Sequence, residues 1–347
     1  MKWLIDMMER GRVPDCLIRA GIRALDRRRL RTERKRGPAE QLQAKMDLVR
    51  QLRESPVAVA TDKANEQHYE MPPAFLEQAL GPCLKYSCCY WPEGVASLAD
   101  AETAALEQIC SRAEIADGME VLDLGCGWGS FGLYVAEHYP NCHILAVSNS
   151  APQRQFILGR ARQRGLTNID VVTADANVFD TERRFDRIVS VEMFEHMRNY
   201  QTLLARIAQW LKEDGRLFVH IFVHREYAYF FETEAEDDWM GKYFFTGGIM
   251  PSDDLLLYFQ DDLVLSRHWR LRGTHYEKTA EAWLTNMDTR RDAILPILAE
   301  VYGSEEAARW FQRWRIFLMA CAELWGFRGG DEWYVSHYLF DKRGAER

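Results

Sequence analysis

The sequence predicts an α/β fold in which a mostly parallel, doubly wound sheet is covered by helices on both faces. Strand and helix patterns alternate between residues 120 and 223, and an apolar strand runs straight into a glycine turn at Gly125, Gly127 and Gly129. The 347 residues are 47% hydrophobic, which suffices for a buried core. Alternation of this kind is typical of a parallel sheet whose ligands bind beyond the carboxyl ends of its strands.

The alternating part contains five expected strands and three expected helices. They are strand 120–124, helix 130–137, strand 143–147, helix 152–163, strand 169–173, strand 185–191, helix 200–211 and strand 216–223. Each strand is short and rich in branched apolar residues, as buried parallel strands are. This stretch, taken as 67–224, is therefore predicted to be the ligand-binding core.

The flanking parts are predicted to be a helical extension, an inserted cap and a return to the core. In the extension, 1–66, the residues Leu42, Met46, Val49 and Leu52 recur at helical spacing, and a helix at 101–113 leads into the first strand. The cap, 225–262, interrupts the pattern with aromatic and acidic residues. The last part, 263–347, is expected to hold a strand near 263–269, helices within 279–324 and a strand near 333–340.

Charge is distributed unevenly along the chain. Residues 1–60 carry 15 Lys and Arg against 8 Asp and Glu, so the net charge of −8 leaves −15 for the remainder. The basic residues between 27 and 36 are interpreted as a solvated helix face, with an anionic membrane surface as the open alternative. We expect no nucleic-acid partner, because the acidic remainder would repel polyanions.

The compartment is predicted from the N-terminus and the cysteines. Asp6 and Glu9 interrupt the apolar N-terminal patch, and no 18-residue uncharged stretch occurs. The eight cysteines lack zinc-type spacing and are interpreted as reduced thiols, which predicts a cytoplasmic protein without a metal. A metal site is a less favoured alternative, and its candidate ligands are His68, Cys83, Cys88 and Cys89.

Several residues near the strand ends are candidate ligand contacts. Asp123 stands just before the glycine turn and no phosphate-binding lysine follows, which favours a zwitterionic ligand over a polyphosphate. After the second strand, Asn149 and Gln153 could hydrogen-bond a ribose. After the third, Asp175 could accept from an adenine amino group or simply cap a turn, and the residues alone favour neither.

The chain resembles the cyclopropane-fatty-acid synthase superfamily and, more closely, its plant coclaurine N-methyltransferase branch. The segments that carry the resemblance, besides the glycine turn, are 68–72 (HYEMP), 80–91 (LGPCLKYSCCYW), 147–150 (VSNS), 191–197 (VEMFEHM), 217–220 (LFVH), 243–248 (YFFTGG), 255–262 (LLLYFQDD) and 330–333 (GDEW). They span roughly residues 66–342, and a chance match of so many ordered segments is implausible.

The resemblance implies a class I methyltransferase fold that binds S-adenosylmethionine and releases S-adenosylhomocysteine. The cofactor contacts that it implies are Tyr86, Ser87, Gly125, Asn149, Gln153, Asp175, Ala176 and Val191. Asp123, just before the glycine turn, and Gly127, within it, are added to this set from the local sequence. The second strand lacks a ribose carboxylate, and in the resembling branch a Ser-Asn-Ser pattern stands at that place.

Glu195 and His196 follow the fourth strand and are the predicted acid–base pair. An amine with a pKa near ~10 is protonated at neutral pH and has no lone pair to attack a methyl group. His196 suits the base that removes its proton, and Glu70, Glu192 and Glu195 could hold the cation. The alternative for Glu192 and His196 is a structural role, capping local backbone. The expected acceptor is a small amine, and a homodimer is compatible with the sequence.

A rival chemistry transfers the methyl group to a lipid double bond with bicarbonate as the base. The resemblance places Cys88, Glu195 and His220 at the corresponding bicarbonate positions, but the amine branch carries the same three. The cap and the C-terminal segments favour amine methylation, and a non-catalytic cofactor-binding module remains a third reading. Aromatic density in the cap predicts an acceptor pocket lined by Tyr243, Phe244, Phe245 and Trp333.

Overall fold

A seven-stranded sheet organises the protein in a computed structural model that describes residues 2–34, 37–59, 71–231, 239–244 and 247–344. In chain order the strands are β1 Glu120–Leu124, β2 His143–Ser148, β3 Ile169–Thr173, β4 Phe185–Val191, β5 Leu211–His224, β6 Tyr229–Phe230, β7 Ile249–Met250, β8 Leu263–Leu271 and β9 Trp333–Lys342. The seven-stranded sheet has the order β3-β2-β1-β4-β5-β9-β8, and β6 and β7 form a separate two-stranded sheet. The strands from β3 to β5 in this order are parallel, whereas β9 is antiparallel to both of its neighbours.

Helices cover both faces of this sheet, and the predicted α/β class is confirmed. They are α1 Lys2–Glu9, α2 Asp15–Arg34, α3 Pro38–Glu54, α4 Pro73–Ala79, α5 Leu98–Arg112, α6 Ser130–His138, α7 Ala151–Gln163, α8 Tyr200–Trp210, α9 Trp239–Tyr243, α10 Gly273–Thr289, α11 Arg291–Tyr302 and α12 Ala307–Trp325. The strand order reverses between β1 and β4, so the carboxyl ends of these two strands border the crevice where doubly wound sheets bind ligands.

Three strands have the predicted bounds and one differs clearly. β1, β3 and β4 begin and end as the apolar runs indicate. β5 begins at Leu211 instead of 216, because α8 ends at Trp210 and Leu211 already pairs with Phe185 ahead of a register shift. A bulge of this kind is not visible in the periodicity of the sequence.

The N-terminal extension is helical as predicted, but the expected apolar face of α3 is only partly buried. Val49 and Leu52 are buried with Leu48, whereas Leu42 and Met46 are 55% and 38% exposed. The C-terminal half of α3 docks at the start of α8, where the Asn199 amide donates to the Arg53 carbonyl oxygen at 2.8 Å. The N-terminal half extends past this contact, and its apolar residues are therefore exposed.

The basic helix α2 packs on the C-terminal helices and on the cap. Arg19 forms a bidentate pair with Glu281, and Arg23 donates to Glu323 at 2.7 Å. The Arg29 guanidinium lies 4.8 Å from the ring centre of Tyr229 on β6. Part of the predicted solvated face thus contacts protein, while Lys35 and Arg36 lie outside the described residues.

An aromatic layer from α10, α12 and the cap covers the crevice side of β5. It is a second hydrophobic core in which Phe244 stacks on Phe317 at 4.5 Å and Tyr276 stacks on Trp325 at 4.8 Å. Residues of α2, among them Ile18 and Leu30, belong to the same core. The N-terminal extension therefore supports the layer that lies over the site.

None of the helices in the described ranges combines the length and the apolar character that a membrane crossing requires.

Gly273 is predicted to be essential for the approach of α10 to the sheet. A Cβ atom there would lie less than 3.0 Å from the backbone oxygens of Trp325 and Trp333, whereas a Cβ at Gly159, inside α7, would meet open space. We expect Gly273→Ala to lower the free energy of unfolding by about 1–3 kcal/mol, because backbone atoms must move. Gly159→Ala, the control, should raise it by about 0.5–1 kcal/mol. Urea unfolding of both variants checks this, and equal stabilities would contradict it.

Candidate active site

Three adjoining cavities lie beyond the carboxyl ends of β1, β2 and β4. The polar cavity is lined by Tyr86, Ser87, Asp123 and Val191, among others. The strand-end cavity is lined by Ser148, Asn149, Gln153 and Ala176 together with apolar side chains. The aromatic cavity lies under the cap and α12. Glu192 borders all three, so it stands where they meet.

The glycine turn joins the polar cavity to the strand-end cavity. Gly125, Gly127 and Gly129 have φ values of 85°, 52° and 82°, which side chains rarely adopt. A Cβ at Gly125 would collide with Met193, but a Cβ at Gly127 would point into open space. Gly125 and Gly127 line both cavities, so the turn presents bare backbone to a ligand.

Buried polar groups shape the polar cavity. The Asp123 carboxylate accepts from the Gly132 N–H at 3.1 Å, and burial raises the pKa of Asp123 to about 7. The Lys85 ammonium is buried and donates to the Ser87 hydroxyl and to the Cys88 carbonyl oxygen, both at 2.6 Å. The Lys85 contacts fix the conformation of the segment after α4, and the Asp123 contact ties the end of β1 to α6.

The strand-end cavity combines an apolar wall with amide and hydroxyl groups. The Ser148 hydroxyl donates to Gln153 Oε1 at 2.5 Å, which leaves the buried Gln153 Nε2 without a hydrogen-bond partner among the described residues. Asp175 accepts from the Asn177 N–H at 2.6 Å and stands behind the lining residue Ala176. The predicted turn-cap role of Asp175 is thus present in the structure.

These features fit S-adenosylmethionine. Gly127 leaves room for close approach, and the buried Gln153 Nε2 and Ser130 Oγ lack partners in the described part of the chain. An ammonium-bearing ligand near Asp123 would meet a buried carboxylate, and an aromatic base would meet the apolar wall that includes Phe179 and Met193. The predicted cofactor residues, apart from Asp175, line the two cavities on either side of the glycine turn.

Glu192 is held in a strained position by three polar contacts. Its φ of 49° is unusual for a residue with a side chain. Its Oε1 accepts from the Cys88 N–H at 2.9 Å and lies 3.2 Å from His220 Nε2, and its Oε2 accepts from the Tyr276 hydroxyl at 2.6 Å. Burial raises the pKa of Glu192, and Lys85 and two of these donors oppose the rise.

The contacts of Glu192 involve two of the residues that were predicted to bind bicarbonate. Cys88, Glu195 and His220 were the expected members of that site, yet Cys88 and His220 both contact the Glu192 carboxylate. The Glu192 carboxyl group therefore occupies contacts that an external anion would need. The structural alternative for Glu192 was that it only caps local backbone. Its contacts with the side chains of His220 and Tyr276 go beyond such a cap.

Glu195 and His196 occupy a short 3-10 turn after β4 and line the aromatic cavity. Both Glu195 carboxyl oxygens are buried without a hydrogen-bond partner among the described residues, and burial together with the nearby Glu192 raises the pKa of Glu195 well above its usual range. Burial lowers the pKa of His196 to about 4, so its imidazole is neutral at pH 7. His196 also lines the strand-end cavity and thus stands between that cavity and the aromatic cavity.

The aromatic cavity has a volume of about 150 Å³, the size of an engineered apolar cavity that binds benzene. Its walls come from β5, the cap, α10 and α12. Besides Glu192, Glu195 and His196, they are Tyr86, Phe222, Phe231, Met240, Met250, Tyr276, Trp283, Phe317, Ala320, Cys321, Leu324 and Trp325. The cavity is therefore apolar except for one cluster of ionisable groups.

Three of the predicted acceptor contacts lie elsewhere. Phe244 is fully buried against Phe317, and Tyr243 packs under Arg313, whose guanidinium lies 4.3 Å from its ring centre. Trp333 is also fully buried, and its indole N–H donates to the Tyr229 hydroxyl at 3.2 Å. These side chains pack against other residues of the aromatic layer, and none of them is among the residues that line the aromatic cavity. Glu70 and Phe245 lie outside the described residues.

The residues that sequence reasoning missed come from distant parts of the chain. Tyr276, Trp283, Cys321 and Trp325 lie on α10 and α12, whose spacing indicates only ordinary amphipathic helices. Lys85 lies inside segment 80–91, which carries the resemblance, and this position directly before Tyr86 and Ser87 was the available signal.

The fold and the site define a class I S-adenosylmethionine-dependent methyltransferase. The profile of the mycolic acid cyclopropane synthetase family matches residues 59–333. The chain is 41% identical to "(S)-coclaurine N-methyltransferase" of Thalictrum flavum subsp. glaucum over 344 residues, 98% of this chain and 95% of that protein. It is 32% identical to the cyclopropane-fatty-acyl-phospholipid synthase of Escherichia coli K12 over 273 residues, 78% of this chain and 66% of that protein.

A solved coclaurine N-methyltransferase bound to N-methylheliamine and SAH superposes with a TM-score of 0.94 at 40% identity, covering 98% of this chain and 99% of that one. The cyclopropane synthase MmaA2 of Mycobacterium tuberculosis, at 20% identity and a TM-score of 0.68, shares the fold. The chain belongs to the mycolic acid cyclopropane synthetase family, and within it is an S-adenosylmethionine-dependent N-methyltransferase.

Gly127→Val tests the predicted contact between the glycine turn and the cofactor. The new side chain would enter the space between the polar and strand-end cavities, and we expect at least a tenfold loss of cofactor affinity, about 1.4 kcal/mol. Gly118→Val is the control, since Gly118 also has a positive φ and open space but precedes β1 at the opposite end of the strand. Both carry similar backbone strain. Equal cofactor affinity in the two folded variants, measured by calorimetry, would remove the turn from the site.

Proposed function

We propose that this N-methyltransferase acts on a small amine that is cationic in solution and carries an aromatic ring. The observation that carries the proposal is the position of the Glu192 carboxyl group. It lies where the two proposed cofactor cavities meet an aromatic cavity whose volume would hold one ring. A cation is attracted by the carboxylate, and a ring is accommodated by Phe222, Trp283 and their neighbours. One relative is a coclaurine N-methyltransferase, and the solved structure contains N-methylheliamine. These two compounds indicate the class of acceptor.

The same carboxylate argues against lipid methylation. A bicarbonate bound at Cys88 and His220 would face the Glu192 carboxylate at contact distance, and like charges in a buried site repel strongly. The donors are already used by the side chain. The acceptor cavity is also bordered by Glu195, which an acyl chain would have to cover without a partner.

His196 is the proposed base. Its neutral imidazole can accept the proton that a secondary or primary ammonium must lose before its nitrogen has a lone pair. The apolar walls that lower the pKa of His196 to about 4 also disfavour a buried ammonium, so the neutral amine is favoured in the cavity relative to bulk water. S-adenosylmethionine, when bound, supplies an electrophilic methyl group on a sulfonium centre.

Glu195 and Glu192 divide the electrostatic work in this proposal. Glu192 supplies a fixed negative charge for the cation, while the raised pKa of Glu195 makes it an uncharged neighbour that ionises when a cation enters. The Glu192 charge raises the pKa of His196 against the effect of burial, so Glu192 also stabilises the imidazolium that forms. Glu70 is proposed as a further anchor of the cation, and Phe245 as a contact of the acceptor.

The remaining proposals concern the cell and the partners. All eight cysteines are free thiols, which supports the cytoplasm as the compartment. A peripheral contact of α2 with anionic membranes is supported by its exposed Arg27, Arg28 and Arg31. A homodimer stays a prediction, as do the bounds of the four segments proposed from the sequence.

The proposal predicts methylation of ring-bearing amines and no methylation of lipids. The purified chain is incubated with methyl-labelled S-adenosylmethionine and either tetrahydroisoquinolines or vesicles of an unsaturated phosphatidylglycerol. We expect labelled N-methyl amine by mass spectrometry, because Glu192 favours a cation. Simple alkyl amines without a ring are the matched control and should react more slowly. Cyclopropane or methyl-branched lipid as the labelled product would refute the assignment.

Loss of His196 is predicted to be partly compensated by alkaline pH. His196→Ala should lower the rate at pH 7 by ~10²–10⁴ while leaving cofactor binding intact. Raising the pH towards the amine pKa generates free amine in solution and should recover part of the loss, whereas the native rate depends less on pH because the imidazole stays neutral above about 4. His143→Ala, on an exposed position of β2, is the control. A flat alkaline profile for His196→Ala would exclude His196 as the base.

A further inference from the structure

A hydrogen-bonded chain of side chains runs from the edge of α5 to Glu192. Arg112 Nη1 lies 2.8 Å from His337 Nδ1, His337 Nε2 lies 2.8 Å from His220 Nδ1, and His220 Nε2 lies 3.2 Å from Glu192 Oε1. His220 on β5 and His337 on β9 face each other across the antiparallel pair. Both rings are buried, so these hydrogen-bond contacts replace the water that the two imidazoles would otherwise contact.

The direction of this chain is fixed at its Arg112 end. A guanidinium is always protonated and cannot accept a hydrogen bond, so His337 Nδ1 must be the acceptor. Burial, the largest cause, and neighbouring positive charges lower the pKa values of His220 and His337 well below their usual range, so each ring carries one hydrogen. That hydrogen must be on Nε2 of His337, which donates to Nδ1 of His220.

We propose that Arg112 and His337 are positioning residues that, through His220, hold Glu192 as an ionised acceptor for the cationic amine. With His220 forced to carry its hydrogen on Nε2, Glu192 Oε1 receives two donors, from His220 and from the Cys88 N–H. Two donors on one oxygen stabilise the carboxylate over the carboxylic acid. This inference rests on the proposed function, since Glu192 is there the site of the cation.

The opposite tautomer would have the opposite effect. Without Arg112, His337 could carry its hydrogen on Nδ1 and accept at Nε2 from His220. His220 would then present a lone pair to Glu192 Oε1 at 3.2 Å, and two facing acceptors raise the pKa of the carboxyl group. Glu192 would take up a proton at a higher pH, and the cation would lose its partner as the pH falls.

Other ionisable groups face this chain and are common to every variant compared below. Around Glu192 they are Lys85, Cys88, Glu195, His196, Tyr276 and Cys321, and around His337 they include Lys85 and His268. Arg112 adds a packing role, because its guanidinium lies 5.2 Å from the ring centre of Trp269. A suitable substitution therefore keeps the length of the side chain and removes the donor.

Arg112→Met meets that condition, and Arg112→Lys restores a group that can only donate. For Arg112→Met we expect the acid limb of the kcat/KM profile for the amine to move to a pH about one unit higher. At pH values below that limb, kcat/KM should fall about tenfold, mainly through a higher KM. Arg112→Lys should recover part of the shift. Arg187→Met is the control, because Arg187 is a similarly half-buried arginine. It donates to the Ala113 carbonyl oxygen at 2.8 Å and takes no part in the hydrogen-bonded series from Arg112 to Glu192. The control variant should keep the native profile even if it unfolds more easily.

The tautomers can be measured on the native protein, independently of any acceptor. With ¹⁵N-labelled histidine, long-range ¹H–¹⁵N spectra report which ring nitrogen carries the hydrogen, and His220→Gln and His337→Gln assign the signals. We expect both rings to carry it on Nε2, and at least one to change in Arg112→Met. A hydrogen on Nδ1 of either native ring, or an unchanged pH profile in Arg112→Met, would overturn the proposal. Failure of the amine assay alone would refute the proposed function and leave the tautomer result standing.

Discussion

A buried carboxylate at the switch point of the sheet is the constraint on which the site depends. Glu192 lies where three cavities meet, and an ionised group there is tolerated only when donors surround it. The donors come from the segment after α4, from β5 and from α10. Three separate parts of the chain are thus tied to one side chain, and its strained φ of 49° reflects how closely they fix it.

The architecture explains how one family supports both amine and lipid chemistry. The glycine turn and the strand ends present the cofactor in the same way whatever the acceptor, because they depend on backbone geometry. On the other side of Glu192 the walls come from the cap, α10 and α12, and this is where the proposed acceptor would bind. In this chain those walls are aromatic and sulfur-bearing, and they border the Glu192 carboxyl group.

The layer over the site is supported from a distance. α12 has one face on the aromatic cavity through Cys321 and Leu324, and its Glu323 on another face pairs with Arg19 and Arg23 of α2. Much of the aromatic character of the cap serves this packing, as the buried Phe244 shows. α2 therefore supports the wall of the aromatic cavity, although none of its own residues, all of which the structure describes, lines that cavity.

The sequence by itself determined the α/β class, the bounds of β1, β3 and β4, the glycine turn, and the Glu195-His196 pair after β4, because each is a local pattern of spacing and residue type. Tertiary structure alone decided the acceptor wall and the partners of Glu192. Tyr276 lies 84 positions after Glu192 in the sequence, and only the packing of α10 brings its hydroxyl to the carboxylate. His337 lies 145 positions after Glu192, and only the pairing of β9 with β5 brings it to His220, which contacts Glu192. Predicting Tyr243, Phe244 and Trp333 from aromatic density located the layer but not the side of it that faces the cavity, since composition does not determine which way a side chain points.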